Sequence, residues 1–185
     1  MIKTHYFIAV TLEEKIKEQL AKWSESVKLH FPFRTWVHQQ DYHITLAFLG
    51  ETPTEKGEAV CEKLHEIGQQ HERFSLTLAE IGIFGQPRAP RILWQTVEQE
   101  QALIALRNDV YGACEHIGFT LDARPFAPHI TIARKWQGEE EFSLEKLKSF
   151  ERVQGCFTVK EVILYRTHLD RVPKYEAIAL FPLSH

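Results

Sequence analysis

Two short segments of this chain carry residue types suited to proton transfer: His43-Ile44-Thr45-Leu46 and His129-Ile130-Thr131-Ile132, 86 positions apart. Imidazole is the side chain that gains and loses a proton near neutral pH. Cleaving a phosphodiester without a metal needs one group to take a proton from the attacking water. It needs a second group to give a proton to the leaving oxygen. Two facing imidazoles, one neutral and one protonated, supply both. A Thr hydroxyl two residues on can donate to a non-bridging phosphate oxygen and stabilise the charge that builds there. A single His-x-Thr on a strand is ordinarily structural, and it is the repetition that favours the chemical reading. Ten histidines invite metal binding. A zinc site wants three or four ligands, however, and there is no H-x-H, H-E-x-x-H or C-x-x-C spacing; neutral hydroxyls are weak ligands. No metal and no cofactor are expected. Gly82 and Gly85 bracket Ile83-Phe84, which fits no glycine-rich phosphate loop and argues against nucleoside triphosphate hydrolysis.

The residues around these motifs must aim them. Tyr6 to Leu12 reads as a strand, and Thr11 with Glu14 reads as a capping box for a helix carrying Ile16, Leu20, Trp23 and Val27 on one face. Arg34 to Val37 is extended, and Tyr42 to Leu49 is a strand ended by Gly50. Thr52-Pro53-Thr54 opens a second helix, and Phe74 to Phe84 alternates as a long strand. The pattern then returns: a strand over Arg91 to Val97, a helix from Glu98 to Ile117 stopped by Gly118, and the strand His129 to Arg134. A short helix near Ser143 to Phe150 and strands over Cys156 to Leu169 and Tyr175 to Leu183 close the chain, the last two paired around Val172-Pro173-Lys174. From Tyr6 to His43 is 37 residues and from Arg91 to His129 is 38. That match predicts an internal duplication: one α+β domain over 1–185, bilobal with a pseudo-twofold. The first repeat covers about 6–84, the second about 91–169, and a C-terminal strand 175–183 completes it. Antiparallel sheets would line a central cleft with helices outside.

Side chains alternate faces along a strand. His43 and Thr45 therefore share a face with Ala47 and Leu49, opposite Ile44, Leu46 and Phe48. His129, Thr131 and Ala133 likewise oppose Ile130, Ile132 and Arg134. Strict alternation thus sends Phe48 into the core and turns Arg134 away from the histidines unless the strand twists or ends there.

Composition limits the partners. The 185 residues are 44% hydrophobic and 25% charged, an ordinary globular balance, and the net charge of −3 excludes a broad polybasic surface. Any nucleic acid would be held locally, in a groove or by a chain end. Cys61, Cys114 and Cys156 are too scattered for a disulfide framework and suit a reducing compartment. The opening run Met1 to Val10 meets Glu13 and Glu14 too soon for a secretory signal, and no run approaches the ~18 apolar residues of a membrane span. A soluble cytoplasmic protein with no membrane or protein partner, monomeric, is the expectation.

His43-Ile44-Thr45-Leu46-Ala47-Phe48-Leu49-Gly50 and Pro128-His129-Ile130-Thr131-Ile132-Ala133-Arg134 resemble the paired motifs of the two-histidine (2H) phosphoesterases. Within them they are most similar to the bacterial and archaeal RNA 2′,3′-cyclic phosphodiesterases, also called 2′-5′ RNA ligases. Phe7 to Val10, Pro87 to Trp94 and the Leu164-Tyr165-Arg166-Thr167 to Tyr175 ending extend the similarity over essentially the whole chain. The resemblance implies metal-free hydrolysis of a 2′,3′-cyclic phosphate at an RNA end or on a nucleotide, leaving a 2′-phosphate. It implies His43 as the acid for O3′, His129 as the base for water, and Thr45 and Thr131 as phosphate donors. Arg134 and Phe48 match by position and are candidate substrate-binding residues. Ile132 stands where Leu is commoner. Phe33, Arg34 and Trp36 could stack on bases or pack the core, and Arg124, Phe126, Arg166, Arg171 and Lys174 could form a basic rim. Three other readings stay open: 2′-5′ RNA ligation by the same residues, a small-molecule cyclic phosphate substrate, and a non-catalytic RNA-end or nucleotide-binding module.

Overall fold

Antiparallel pairing links every strand of this molecule into one sheet, and the two motif strands meet at its middle. The structure, a computed structural model, describes residues 3–185; Met1 and Ile2 of the opening run lie outside the described residues. In chain order the elements are β1 (Tyr6–Thr11), α1 (Glu14–Val27), β2 (Phe33–Trp36), a short 3-10 turn (Gln39–Asp41), β3 (His43–Gly50), α2 (Thr54–Gln70) and β4 (Phe74–Gln86). Then come β5 (Ala89–Val97), α3 (Gln101–Ile117), β6 (His129–Trp136), α4 (Leu144–Lys148), β7 (Cys156–Val159), β8 (Glu161–Thr167) and β9 (Tyr175–Pro182). The sheet runs β7-β4-β5-β6-β3-β1-β8-β9, with β2 paired to β6. The α+β architecture of antiparallel strands and helices is as expected, with the strands joined in one nine-stranded sheet. Its outer strands are also crossed over: β4, from the first half of the chain, pairs with β5, and β8, from the second half, pairs with β1.

β3 and β6 share a single bridged pair, Ile44 with Ile130. Beyond it β2 takes the same edge of β6, pairing Trp36 with Ala133, Thr35 with Arg134 and Phe33 with Trp136. The two motif strands therefore touch at one point and part. Ile44, Ile130 and Ile132 are wholly buried beneath them, in a core shared with Leu20, Leu64, Leu103 and Leu106 of the helices. Each such side chain contributes about 1.5–3 kcal/mol by leaving water. A smaller apolar cluster of Phe7, Ala9, Ile163 and Tyr165, with Tyr175 against it, covers a separate part of the sheet beside His43.

Several local readings change. Thr11 does not cap α1; it ends β1 opposite His43, and the N-cap is Glu13, whose side chain makes no capping bond. The third helix begins at Gln101 rather than Glu98, with the Glu100 carboxylate accepting from Ala102 N–H. Cys156 to Leu169 is two strands, because the chain changes neighbours at Lys160: β7 pairs with β4, and β8 with β1. Gly118 does stop α3, in the left-handed region at φ 102°. Gly82 has a packing role, since a Cβ there would come within 2.4 Å of the Trp94 indole. Among the described residues no helix is long and apolar enough to cross a membrane.

Candidate active site

The Ile44–Ile130 pair sets the register of everything around it. Counting outward along antiparallel strands, His43 lies across from Thr131, and Thr45 lies across from His129. By register the four positions form a crossed rectangle on the face opposite the buried isoleucines, with the histidines on one diagonal and the threonines on the other.

Both imidazoles are held in the same way. His43 Nδ1 lies 2.7 Å from the Asp41 carbonyl oxygen, and His129 Nδ1 lies 2.8 Å from that of Ala127. A carbonyl can only accept, so it places the proton of the neutral ring on Nδ1 and leaves the Nε2 lone pair facing the site. His43 Nε2 is 3.0 Å from Thr45 Oγ1, accepting from that hydroxyl when the ring is neutral. Burial pushes the His43 pKa down to about 4, opposed by the Asp41 carbonyl and helped by the Arg134 guanidinium. His129 is also lowered, first by burial and then by Arg134. Both shifts favour neutral imidazoles at neutral pH, and an anion between them would draw protons back onto the rings.

Phe48 and Arg134 reach the histidine face, which corrects the assignment from strict alternation. Ala9 pairs with Thr45 and Ile8 with Ala47, so Leu46 has no partner on β1. Trp94 pairs with Thr131 and Leu93 with Ala133, so Ile132 has no partner on β5. Each motif therefore contains a β-bulge at its fourth residue, and each bulge reverses the side-chain alternation downstream. Two consecutive buried residues mark the reversal in both strands, Leu46-Ala47 and Ile132-Ala133. Phe48, at 54% exposed, is no core residue. Arg134 is close enough to depress both imidazoles and to pull on the Tyr175 hydroxyl, whose pKa burial otherwise raises.

Aromatic rings flank the pair. Phe7 lies 4.8 Å from His43 between ring centres, and Tyr175 lies edge-on at 5.1 Å. Phe84 meets His129 edge-on at 4.9 Å. Asp41 is a site residue that sequence reasoning missed. Its carbonyl orients His43, while its buried carboxylate accepts the Lys174 and Tyr175 backbone N–H groups at 2.8 and 3.1 Å. No residue-type signal marks it, since the matching carbonyl before His129 belongs to Ala127 and the carboxylate contact is with distant residues. Of the other rim candidates, Arg124, paired with Asp122, and Phe126 line a cavity shared with Thr45 and His129, whereas Arg171 pairs with Glu176, Phe33 is buried, Trp36 is half-buried against it, and Arg34 is exposed. Among the described residues, no group of three or more His, Cys, Asp or Glu side chains could hold a metal ion.

An antiparallel sheet carrying two crossed His-x-Thr strands defines a class of proteins. The sequence profile of the 2′-5′ RNA ligase superfamily matches residues 12–171, and the chain belongs to that superfamily. It is 52% identical over 183 residues to the RNA 2′,3′-cyclic phosphodiesterase of Geobacillus stearothermophilus, covering 99% of this chain but 58% of that protein's length. It is 35% identical to the Bacillus subtilis RNA 2′,3′-cyclic phosphodiesterase over 99% of this chain and 98% of the relative. The fold is similar to the crystal structure of Escherichia coli LigT complexed with 3′-AMP, with a TM-score of 0.79 and 28% identity over 99% of both chains. TT0787 of Thermus thermophilus is similar at a TM-score of 0.78 and 25% identity over 97% of both chains.

Proposed function

We propose that the chain hydrolyses 2′,3′-cyclic phosphate ends of RNA to 2′-phosphomonoesters, using His43 and His129 as a metal-free acid/base pair. The observation that carries this is the Ile44–Ile130 pair, which brings the two His-x-Thr segments side by side with His129 near enough to act on the charge of His43. A cyclic phosphate seated there has a hydroxyl donor for each non-bridging oxygen. His129 takes the proton of the attacking water through its free Nε2. His43 gives a proton to O3′ as the P–O3′ bond breaks, and the 2′-ester remains. His43 starts neutral, so it acquires that proton together with the anionic substrate. Thr45 and Thr131 donate to the phosphate, and Arg134 balances its charge from the bulged strand. Phe48, exposed beside them, is a surface for the sugar or base.

The names of the relatives support the substrate, and the neighbour crystallised with 3′-AMP supports a nucleotide-sized ligand. The proposal extends to a monomer acting in the cytoplasm on RNA ends, and to a duplication in which 6–84 and 91–169 are equivalent repeats. Supporting the duplication, each motif strand is flanked in the sheet by the strand that opens its own repeat and then by the strand that closes the other. Adenosine 2′,3′-cyclic phosphate tests the activity: turnover in EDTA giving only the 2′-phosphate is expected. Binding of the 2′-phosphate without turnover of the cyclic form would replace an enzyme with a binding module. Supplying an RNA 5′-hydroxyl in place of water separates 2′-5′ ligation from hydrolysis.

A further inference from the structure

A cavity of about 500 Å3 opens from the histidine pair on the His129 side, within the range of about 300–1,000 Å3 usual for small-molecule sites. Thr45 and His129 wall its inner end, so a nucleotide whose phosphate lies between the imidazoles has room there for its sugar and base. Farther out the lining includes Arg107 and Tyr111 of α3 and Phe126 of the segment entering β6. The Arg107 guanidinium carbon lies 4.1 Å from the centre of the Tyr111 ring and 5.1 Å from that of Phe126. Two aromatic faces hold it in place. Its Nη1 reaches the neighbouring Asn108 side-chain oxygen at 3.5 Å, its Nε is buried with no hydrogen-bond partner, and no carboxylate pairs with it among the described residues. Asp122, an acid that feels its charge, gives both oxygens to Arg124 instead. Arg107 is therefore a fixed, half-buried cation with no ion-pair partner among the described residues, in the wall of a nucleotide-sized cavity.

Charge gives the direction of the strand. This cavity is lined by three arginines against one aspartate. The depression on the His43 side, beyond Tyr165 and Tyr175, carries three lysines against three glutamates. A polyanion leaving the catalytic centre is attracted along the first path and not along the second.

We propose that the cavity takes the terminal nucleoside of the substrate and that Arg107 binds the phosphate on its 5′ side. Arg107 then determines specificity, selecting an RNA end over a nucleoside cyclic phosphate that lacks a 5′-phosphate. A planar guanidinium fixed between two rings suits this role, because it can offer two parallel N–H donors to phosphate oxygens. The inference rests on the cyclic phosphodiesterase reading. The test compares kcat/KM for adenosine 2′,3′-cyclic phosphate with that for its 5′-phosphorylated form, in the wild type, Arg107→Ala and Arg107→Gln. The wild type is expected to prefer the 5′-phosphorylated substrate by roughly ten-fold or more, the scale of a hydrogen bond to a charged group. Both variants are expected to bring that ratio close to one. A wild-type ratio near one, or a large ratio that survives in a folded variant, would overturn the role of Arg107 and leave the cyclic phosphodiesterase reading standing. Turnover of neither substrate by the wild type would instead remove that reading, and the inference with it.

Discussion

Two backbone carbonyls, of Asp41 and Ala127, decide where the imidazole protons sit, and burial decides how easily the rings take another. Both histidines are lowered from the usual value near 6.5, and His43 reaches about 4. The profile of kcat/KM reports the free enzyme. It should therefore be bell-shaped with an acidic optimum, its lower limb near pH 4 and its upper limb below 6.5, and stopped-flow or steady-state rates from pH 3.5 to 8 check this. The same shift has a stability consequence. A ring that binds its proton less readily when folded makes the unfolded chain the better proton acceptor, so stability falls as pH drops from about 6.5 to about 4. His43 contributes at most about 3 kcal/mol to that loss, and urea unfolding of His43→Asn should show a shallower decline than the wild type over this window. The roles of the two rings separate on a substrate with sulfur in place of O3′, a leaving group that needs no acid. His43→Ala should recover activity on it, and His129→Ala should not. The repeated His-x-Thr was legible in the sequence because it is a pattern of residue types at fixed spacing. Asp41 was not, because its role comes from a carbonyl and from a buried contact with residues 174 and 175.

At the level of elements, the bulges at Leu46 and Ile132 turn two strands into two arms of a site. Without them the fourth and sixth residues of each motif would face the core together, and Phe48 and Arg134 would lie on the wrong side of the sheet. The strands themselves were readable from alternation and from glycine and proline punctuation. The bulges were not, because the extra residue is an ordinary apolar one and only its missing partner on the neighbouring strand reveals it. The division of Cys156 to Leu169 between two neighbours was hidden for the same reason: pairing is set by distant segments. The link between β3 and the start of β9 has a measurable strength. Asp41→Ala leaves two backbone N–H groups unpaired and should cost about 3 kcal/mol, read as a shift of the denaturant midpoint. It should also lower turnover, because Tyr175 packs against His43.

Across the whole molecule, one bridged pair joins two halves of a sheet whose outer strands are exchanged between the halves of the chain. Residues 3–86 lack β8, the partner of β1, and β5, the partner of β4. That fragment should be unfolded alone by circular dichroism, and mixing it with 87–185 should restore structure and activity together. The exchange also explains why the two histidines sit at one place despite 86 intervening residues: neither half closes its sheet without the other, and the histidines lie on the seam between them. We propose that this seam works as a two-histidine acid/base catalyst. Its most direct measurement is the rate of adenosine 2′,3′-cyclic phosphate hydrolysis in EDTA by the wild type, His43→Ala and His129→Ala, with folding verified for each. Turnover to the 2′-phosphate by the wild type is expected, with a loss of about 10²–10⁴-fold or more in each variant. Wild-type rates in both folded variants would contradict it.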